Sequence, residues 1–227
     1  HTTHFTANCM IKNGSENVID EDGKPIVLPF VFDKKDVTII ADWDTTGLVA
    51  TGSHSFAVNE LNVSRDNSFK IAAEDAFFAN CIYKYPFLQF AETTLAANIS
   101  GMAIHFLDLC EQIFAERITS KNLKEYQQKI LSDGLSASIK VLQEKRSEFY
   151  SAMEGSWTEI KSQNSISDQK LSEVSITSRE LVKYCFLKVN ELYPYCGLIA
   201  ARSSSEINRV WRDLHTASQH TLLAIPY

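Results

Sequence analysis

Residues 87–114 read FLQFAETTLAANISGMAIHFLDLCEQIF, and this stretch decides the fold. Leu88, Ala91, Leu95, Ile99, Met102, Phe106, Leu109 and Ile113 recur at alternating steps of three and four, which lines them along one side of an α-helix. Pro86 stands just ahead, where its missing N–H costs a helix nothing. A second stripe runs Leu135, Ile139, Leu142, Phe149, Met153, Trp157, Ile160, and a third Leu171, Val174, Ser178, Leu181, Cys185, Leu192. Ser167 is the candidate cap of the third, with Lys170 where a capping box would place Glu. Ile207, Val210, Leu214, Ala217 and Thr221 form the fourth, after a Ser203-Ser204-Ser205 break. Four such stripes with short connections predict an up-down four-helix bundle. Arg117 to Lys129 is polar and reads as a loop or short connecting helix.

Upstream the period is two. Phe5, Ala7, Cys9 and Ile11 alternate with Thr6, Asn8 and Met10, as on a half-buried strand, and Asp22-Gly23 marks a turn. Ile26 to Phe32 and Val37 to Ile40 read as further strands, with Pro25 and Pro29 favouring edge or terminal positions. The apolar parity changes between Phe56/Val58 and Leu61/Val63, which predicts a bulge near Asn59-Glu60. The fold class is therefore α+β, a partial antiparallel β-domain over residues 1–70 followed by a helical bundle domain over 71–227. Four or five short strands leave open edges, so partner strands are expected from elsewhere. The chain enters a strand pattern almost at once after His1, as the later part of a longer protein would.

The totals narrow the function classes. With 22 basic residues scattered among 28 acidic ones and a net charge of −6, no phosphate-binding stripe for nucleic acid is present. Apolar runs fall short of the roughly 20 residues a membrane span needs, so a cytoplasmic protein is expected. Cys9, Cys81, Cys110, Cys185 and Cys196 are widely spaced in apolar surroundings and read as buried free thiols. Glycine-rich nucleotide loops, HExxH and CxxC are missing, and no metal site is expected. Ser53 does not lie in a nucleophile elbow.

A few residues carry possible chemistry. His215 and His220 lie five apart in a predicted helix, which turns them roughly 140° from each other and denies them a shared metal. Each reads first as a hydrogen-bonded helix histidine, and Arg212-Asp213 as a surface ion pair. Arg117, Thr119, Ser120 and Lys121 cluster at a helix end, where cations complement the dipole or could receive a phosphate. Trp43 to His54 is a loop with two glycines and several hydroxyls.

These segments resemble the acyl-CoA dehydrogenase superfamily, in particular its branch of two-component flavin monooxygenases. Asp42-Trp43, Thr46-Gly47 and Thr51-Gly52-Ser53 look like the middle-domain loop that faces flavin and substrate. Trp211-Arg212-Asp213-Leu214-His215-Thr216-Ala217-Ser218-Gln219-His220 looks like the monooxygenase branch's terminal helix and is the most specific match. The resemblance covers essentially the whole chain. It implies a flavin, FAD or FMN, touched by Trp43, Thr51 and Ser53, with Arg117, Lys121 and Gly197 at its phosphate and adenine end. His220 would be the proton-transfer residue, for which an imidazole titrating near working pH is suited. Two departures stand out: Ser120-Lys121 replaces the dehydrogenases' Phe-Gly, and Thr221 occupies the position of their catalytic glutamate.

What the resemblance implies is a monooxygenase hydroxylating a small cyclic or aromatic substrate, a homotetramer fed by a separate flavin reductase. It also implies an amino-terminal helical domain and first middle-domain strands ahead of His1, so this chain by itself is expected to be inactive. A second reading is an acyl-CoA dehydrogenase using Glu92, otherwise an exposed or capping glutamate. A third is a non-catalytic oligomerisation bundle. Beside the expected homotetramer, Phe77, Phe78, Phe87, Phe90, Phe106 and Phe114 exceed one apolar stripe, and a buried subunit interface would absorb them.

Overall fold

The computed structural model describes residues 2–224, which divide into two compact units. The first comprises His1–Asp44 and Gly52–Ala79, the second Thr45–Thr51 and Asn80–Tyr227.

The first unit is built from hairpins. Strand β1 (His4–Met10) is followed by the small pair β2 (Lys12–Asn13) and β3 (Glu16–Asn17), and then by β4 (Val27–Asp33). β1 and β4 pair antiparallel with Phe5 opposite Phe32 and Asn8 opposite Pro29. The expected alternation holds, Phe5, Ala7 and Cys9 turning inward and Thr6, Asn8 and Met10 outward. At the predicted turn, Asp20 Oδ1 accepts from the N–H groups of Asp22 and Lys24, while Gly23 takes φ +77°. A second pair, β5 (Thr38–Ile40) and β6 (Ser55–Ala57), brings Phe56 to 5.1 Å from Phe5, ring centre to ring centre. The bulge expected near Asn59-Glu60 does not form. β6 ends at Ala57, and the parity change reflects the end of the strand, with Glu60 left-handed at φ +48°. Among the described residues Phe32 is the single fully buried apolar side chain of this unit.

The second unit is the bundle. Helices α1 (Phe87–Ser120), α2 (Glu125–Gln163) and α3 (Asp168–Leu192) pack against one another, and α5 (Glu206–Ala217), after the single turn α4 (Leu198–Ala201), closes on α1 and α3. The polar stretch from Arg117 to Lys129 is thus mostly helix, with only residues 121–124 connecting α1 to α2. End capping sustains it: the Lys121 N–H returns to Arg117 O, and the Gln127 side chain accepts from the Lys124 N–H. α1 does start after Pro86, but its most buried line is rotated from the predicted stripe to Glu92, Ala96, Ile99, Ala103, Phe106, Cys110 and Phe114. Small side chains there, Ala96, Ser100 and Ala103, permit close approach of the neighbouring helices. Phe106 and Phe114 therefore belong to the core, whereas Phe77, Phe78, Phe87 and Phe90 remain exposed.

Helix ends show the local chemistry. Ser167 is the N-cap of α3, yet its hydroxyl and amide both donate to Glu159 on α2, which joins the two helices across their turn. α2 stops at Asn164, which is left-handed at φ +60° and returns its N–H to Ile160 O, while its Oδ1 accepts from Lys84. Asn164→Ala should cost about 1 kcal/mol in urea unfolding, because alanine lacks asparagine's tolerance of that conformation, and Asn164→Gly should lie within a few tenths of the parent.

Candidate functional site

Three groups of polar side chains in the second unit hold long-range positions.

The first is built on α5. Residues 45–51 form a loop that lies on this helix. Gly47 approaches it so closely that a Cβ would fall 2.1 Å from the Arg212 carbonyl oxygen, a distance no side chain can occupy. The Gly47 N–H donates to Thr216 Oγ1 at 3.0 Å, and the Leu48 N–H donates to Asp213 Oδ1 at 2.6 Å. Arg212 donates to the Thr46 carbonyl at 2.7 Å and to Asn208 Oδ1 at 2.9 Å. Arg212 and Asp213 are therefore not a surface ion pair. Each satisfies backbone groups of the loop, and neighbouring residues of one helix do not face each other. Leu48, held at φ +54°, accepts from Thr51 Oγ1 at its carbonyl.

The second lies at the far end of α1. Arg117 donates to the Tyr195 carbonyl in the 3-10 turn Tyr193–Cys196, and its Nε is buried without a hydrogen-bond partner among the described residues. Gly197 follows that turn at φ +70° and ψ −160°, a region essentially reserved for glycine. A Cβ on Gly197 would meet Arg117 Nη1 at 3.0 Å. The structure thus brings together two of the residues proposed from sequence, Arg117 and Gly197. Lys121, the C-cap of α1, is exposed just beyond.

The third is an ion pair inside the bundle. Glu92 is 0% exposed, its Oε1 accepts from Arg179 Nη2 at 2.7 Å and Nε at 3.2 Å, and its Oε2 accepts from the Ser175 hydroxyl at 2.5 Å. Gln89 also donates to Ser175. The expectation of an exposed or capping glutamate is wrong. Spacing held the clue, because Glu92 falls four after Leu88 and three before Leu95, on the apolar side of α1.

The two histidines separate in role. His215 is fixed between Trp211 O at 2.8 Å and Asn190 Oδ1 at 3.0 Å, its ring tilted against those of Trp211 and Phe186. It is a hydrogen-bonded helix histidine, as the sequence suggested. His220 does not share its helix. α5 ends at Ala217, Ser218 Oγ bonds back to His215 O, and His220 sits exposed ahead of the short helix α6 (Thr221–Ala224), its Nδ1 accepting from the Leu222 N–H at 3.3 Å. The spacing argument that set the two imidazoles apart on one helix therefore does not apply.

In the first unit, the Trp43 N–H donates to His54 Nδ1, and Ser55 donates to Asp42, whose carboxyl is held below its ordinary value by the Ser55 hydroxyl and amide. Ser53 lies exposed between them. Thr51, half a dozen residues earlier than Ala57, belongs with the loop on α5.

A helical bundle that follows paired strands along the chain is the element order of an acyl-CoA dehydrogenase-type carboxyl-terminal part, and comparison with known proteins agrees. The profile described as acyl-CoA dehydrogenase, C-terminal domain, matches residues 93–224. The indole-3-acetate monooxygenase of Acinetobacter baumannii is 22% identical over 182 residues, covering 80% of this chain and 46% of that protein. The crystal structure of the HsaA monooxygenase from M. tuberculosis superimposes with a TM-score of 0.78 at 17% identity, over 98% of this chain and 57% of that one. XiaF from Streptomyces, solved with FADH2 and glycerol, gives a TM-score of 0.71 at 17% identity, over 92% and 55% respectively. The chain thus spans about half the length of the relatives it matches. It belongs to the acyl-CoA dehydrogenase C-terminal domain family.

Proposed function

We propose that this chain supplies the helical bundle and part of the cofactor pocket of a flavin-dependent monooxygenase that hydroxylates a small cyclic or aromatic substrate. The observation that carries this reading is the corner where Arg117 meets Gly197. Among the described residues the buried Nε of Arg117 lacks an acceptor, and Gly197, having no Cβ, lets the guanidinium pack against its backbone; a guanidinium with an N–H to spare is suited to an anionic phosphate group of FAD or FMN. Lys121 adds positive charge nearby in sequence, and Trp43, Thr51 and Ser53 are the further candidates for flavin contacts. The names of the similar proteins, two of them monooxygenases and one solved with FADH2, support the same chemistry.

Bound reduced flavin would supply the electrons that activate oxygen. This chain's part is positioning and proton handling. Because His220 Nδ1 accepts the Leu222 N–H, the neutral ring carries its proton on Nε2, the atom through which a proton can pass to or from a substrate. Arg212, Asp213 and Thr216 fix the 45–51 loop as positioning residues. The dehydrogenase reading has less support, because the Glu92 carboxylate is enclosed and engaged by Arg179 and Ser175. A homotetramer, a separate reductase and a cytoplasmic location complete the proposal. The exposed Phe77, 100% accessible, and Phe87 favour a covering surface, and among the described residues no helix is long and apolar enough to cross a membrane.

The test is fluorescence titration with oxidised and reduced FAD and FMN, on this chain and on the product of the full reading frame. His220→Ala should spare flavin affinity in the latter and lower substrate hydroxylation about 10²–10⁴-fold. Flavin reduction by an acyl-CoA without oxygen would favour the dehydrogenase, and failure to bind any flavin would leave a scaffold.

A further inference from the structure

Cys110 and Cys196 are buried free thiols, as the sequence suggested, and the fold sets them face to face. Their sulfur atoms lie 3.5 Å apart, 86 residues distant in sequence, one on α1 and the other in the turn Tyr193–Cys196. Both side chains are buried, at 0% and 2% exposure. By contrast, Cys185 is buried by itself, with its thiol pushed up to about 12 by loss of solvent, and Cys9 and Cys81 are half-buried in other segments.

We propose that Cys110 and Cys196 are a modification site, oxidised by hydrogen peroxide to an intramolecular disulfide that fastens α1 to the turn ahead of Gly197. In the first step one thiolate sulfur attacks a peroxide oxygen, the O–O bond breaks, and a sulfenic acid and one water result. In the second the other sulfur displaces the sulfenic oxygen as water and the S–S bond forms. The two sulfurs give up two electrons in all, one peroxide accepts them, and both thiol protons leave in water. A disulfide has its sulfurs about 2.05 Å apart, so closure needs a sulfur approach of about 1.5 Å, within reach of small χ1 changes on two adjoining elements.

The environment sets the rate. The hydrogen bond to Cys196 and burial hold the Cys110 thiol well above its ordinary range, so little thiolate is present and oxidation proceeds slowly, through openings of the turn. The site therefore records sustained exposure to peroxide. Its consequence is local: Cys196 lies between Tyr195, whose carbonyl receives Arg117, and Gly197, so the bond would immobilise that corner. The inference stands whether or not a flavin binds there.

The folded protein is incubated with hydrogen peroxide, quenched, and digested without reduction for mass spectrometry, and its thermal midpoint is recorded in parallel. The expected result is a Cys110–Cys196 cross-linked peptide, lighter by two hydrogens than its reduced parts, and a midpoint raised by about 5–15 °C that dithiothreitol reverses. Cys110→Ala and Cys196→Ala should each abolish both signals. If one variant fails to fold, the peptide map of the parent protein decides. Oxidation that stops at sulfinic or sulfonic acid, a bridge involving Cys9, Cys81 or Cys185, or thiols unchanged while the denatured chain oxidises would each overturn the proposal.

Discussion

Arg179→Met is expected to destabilise the bundle by about 3–5 kcal/mol in urea unfolding. Glu92 is 0% exposed, and Arg179, 21% exposed, supplies the opposite charge and two of the donors to its carboxylate. Methionine keeps much of the volume but removes the charge, leaving an ionised group enclosed by helices with the Ser175 hydroxyl as its remaining donor among the described contacts. Arginine's partial exposure softens the loss and favours the lower half of that range. The paired change Glu92→Met/Arg179→Met should recover most of it, because an apolar pair of similar volume avoids the cost of burying charge. If Arg179→Met costs less than 1 kcal/mol, water reaches Glu92 and the ion pair is not what holds α1 to α3.

Gly47→Ala is the second. Its Cβ would lie 2.1 Å from the Arg212 oxygen, 2.3 Å from the carbonyl carbon and 2.6 Å from the Asp213 nitrogen, all backbone atoms of a helix that cannot yield. The loop must leave, and the Leu48 bond to the Asp213 carboxylate, the Gly47 bond to Thr216 and the Arg212 bond to Thr46 leave with it. At about 1.5–3 kcal/mol for each of the two bonds that involve a charged group, Asp213 and Arg212, and about 1 for the bond to Thr216, the sum is about 4–7 kcal/mol, and hydration of the freed groups brings the net loss down to about 3 kcal/mol. Hydrogen exchange gives the sharper readout: the Leu48 amide should lose protection in Gly47→Ala while the amides of α1 keep theirs. Asp213→Asn, which preserves shape, should show a milder form of the same change. Unaltered protection at Leu48 in Gly47→Ala would mean that the loop is not held by α5.

Helix periodicity made the architecture legible because an apolar side recurs within each helix, close in sequence. The α3 stripe Val174, Ser178, Leu181, Cys185 and Leu192 is buried as read, and so are Ile207, Val210 and Leu214 of α5. Misreadings fall where local pattern and three-dimensional surroundings part. Arg117 to Ser120 looked like loop because the end of α1 meets solvent, yet hydrogen bonding along the helix carries it through. The break after Ala217 had no Pro or Gly to announce it, only the polar run Ser218-Gln219-His220. For the candidate site, family resemblance pointed to Arg117 and Gly197, which do meet. The reason for Arg212 and Asp213 could not be seen, since their partners lie more than 160 residues away. Arg179 had no local signal at all, although Glu92, placed among apolar neighbours on α1, announces that a buried partner is needed.

The Gly47 and Leu48 contacts with α5 span 169 and 165 residues, so they also say something about the order of events during synthesis. At 5–20 residues per second a ribosome needs roughly 10–30 s to make the chain between the loop and Asp213. For all of that time the Gly47 and Leu48 amides of the loop await a helix that does not yet exist. Closure of this loop must therefore be a late event, and a chaperone that shields the nascent loop would affect yield without any effect on the finished molecule.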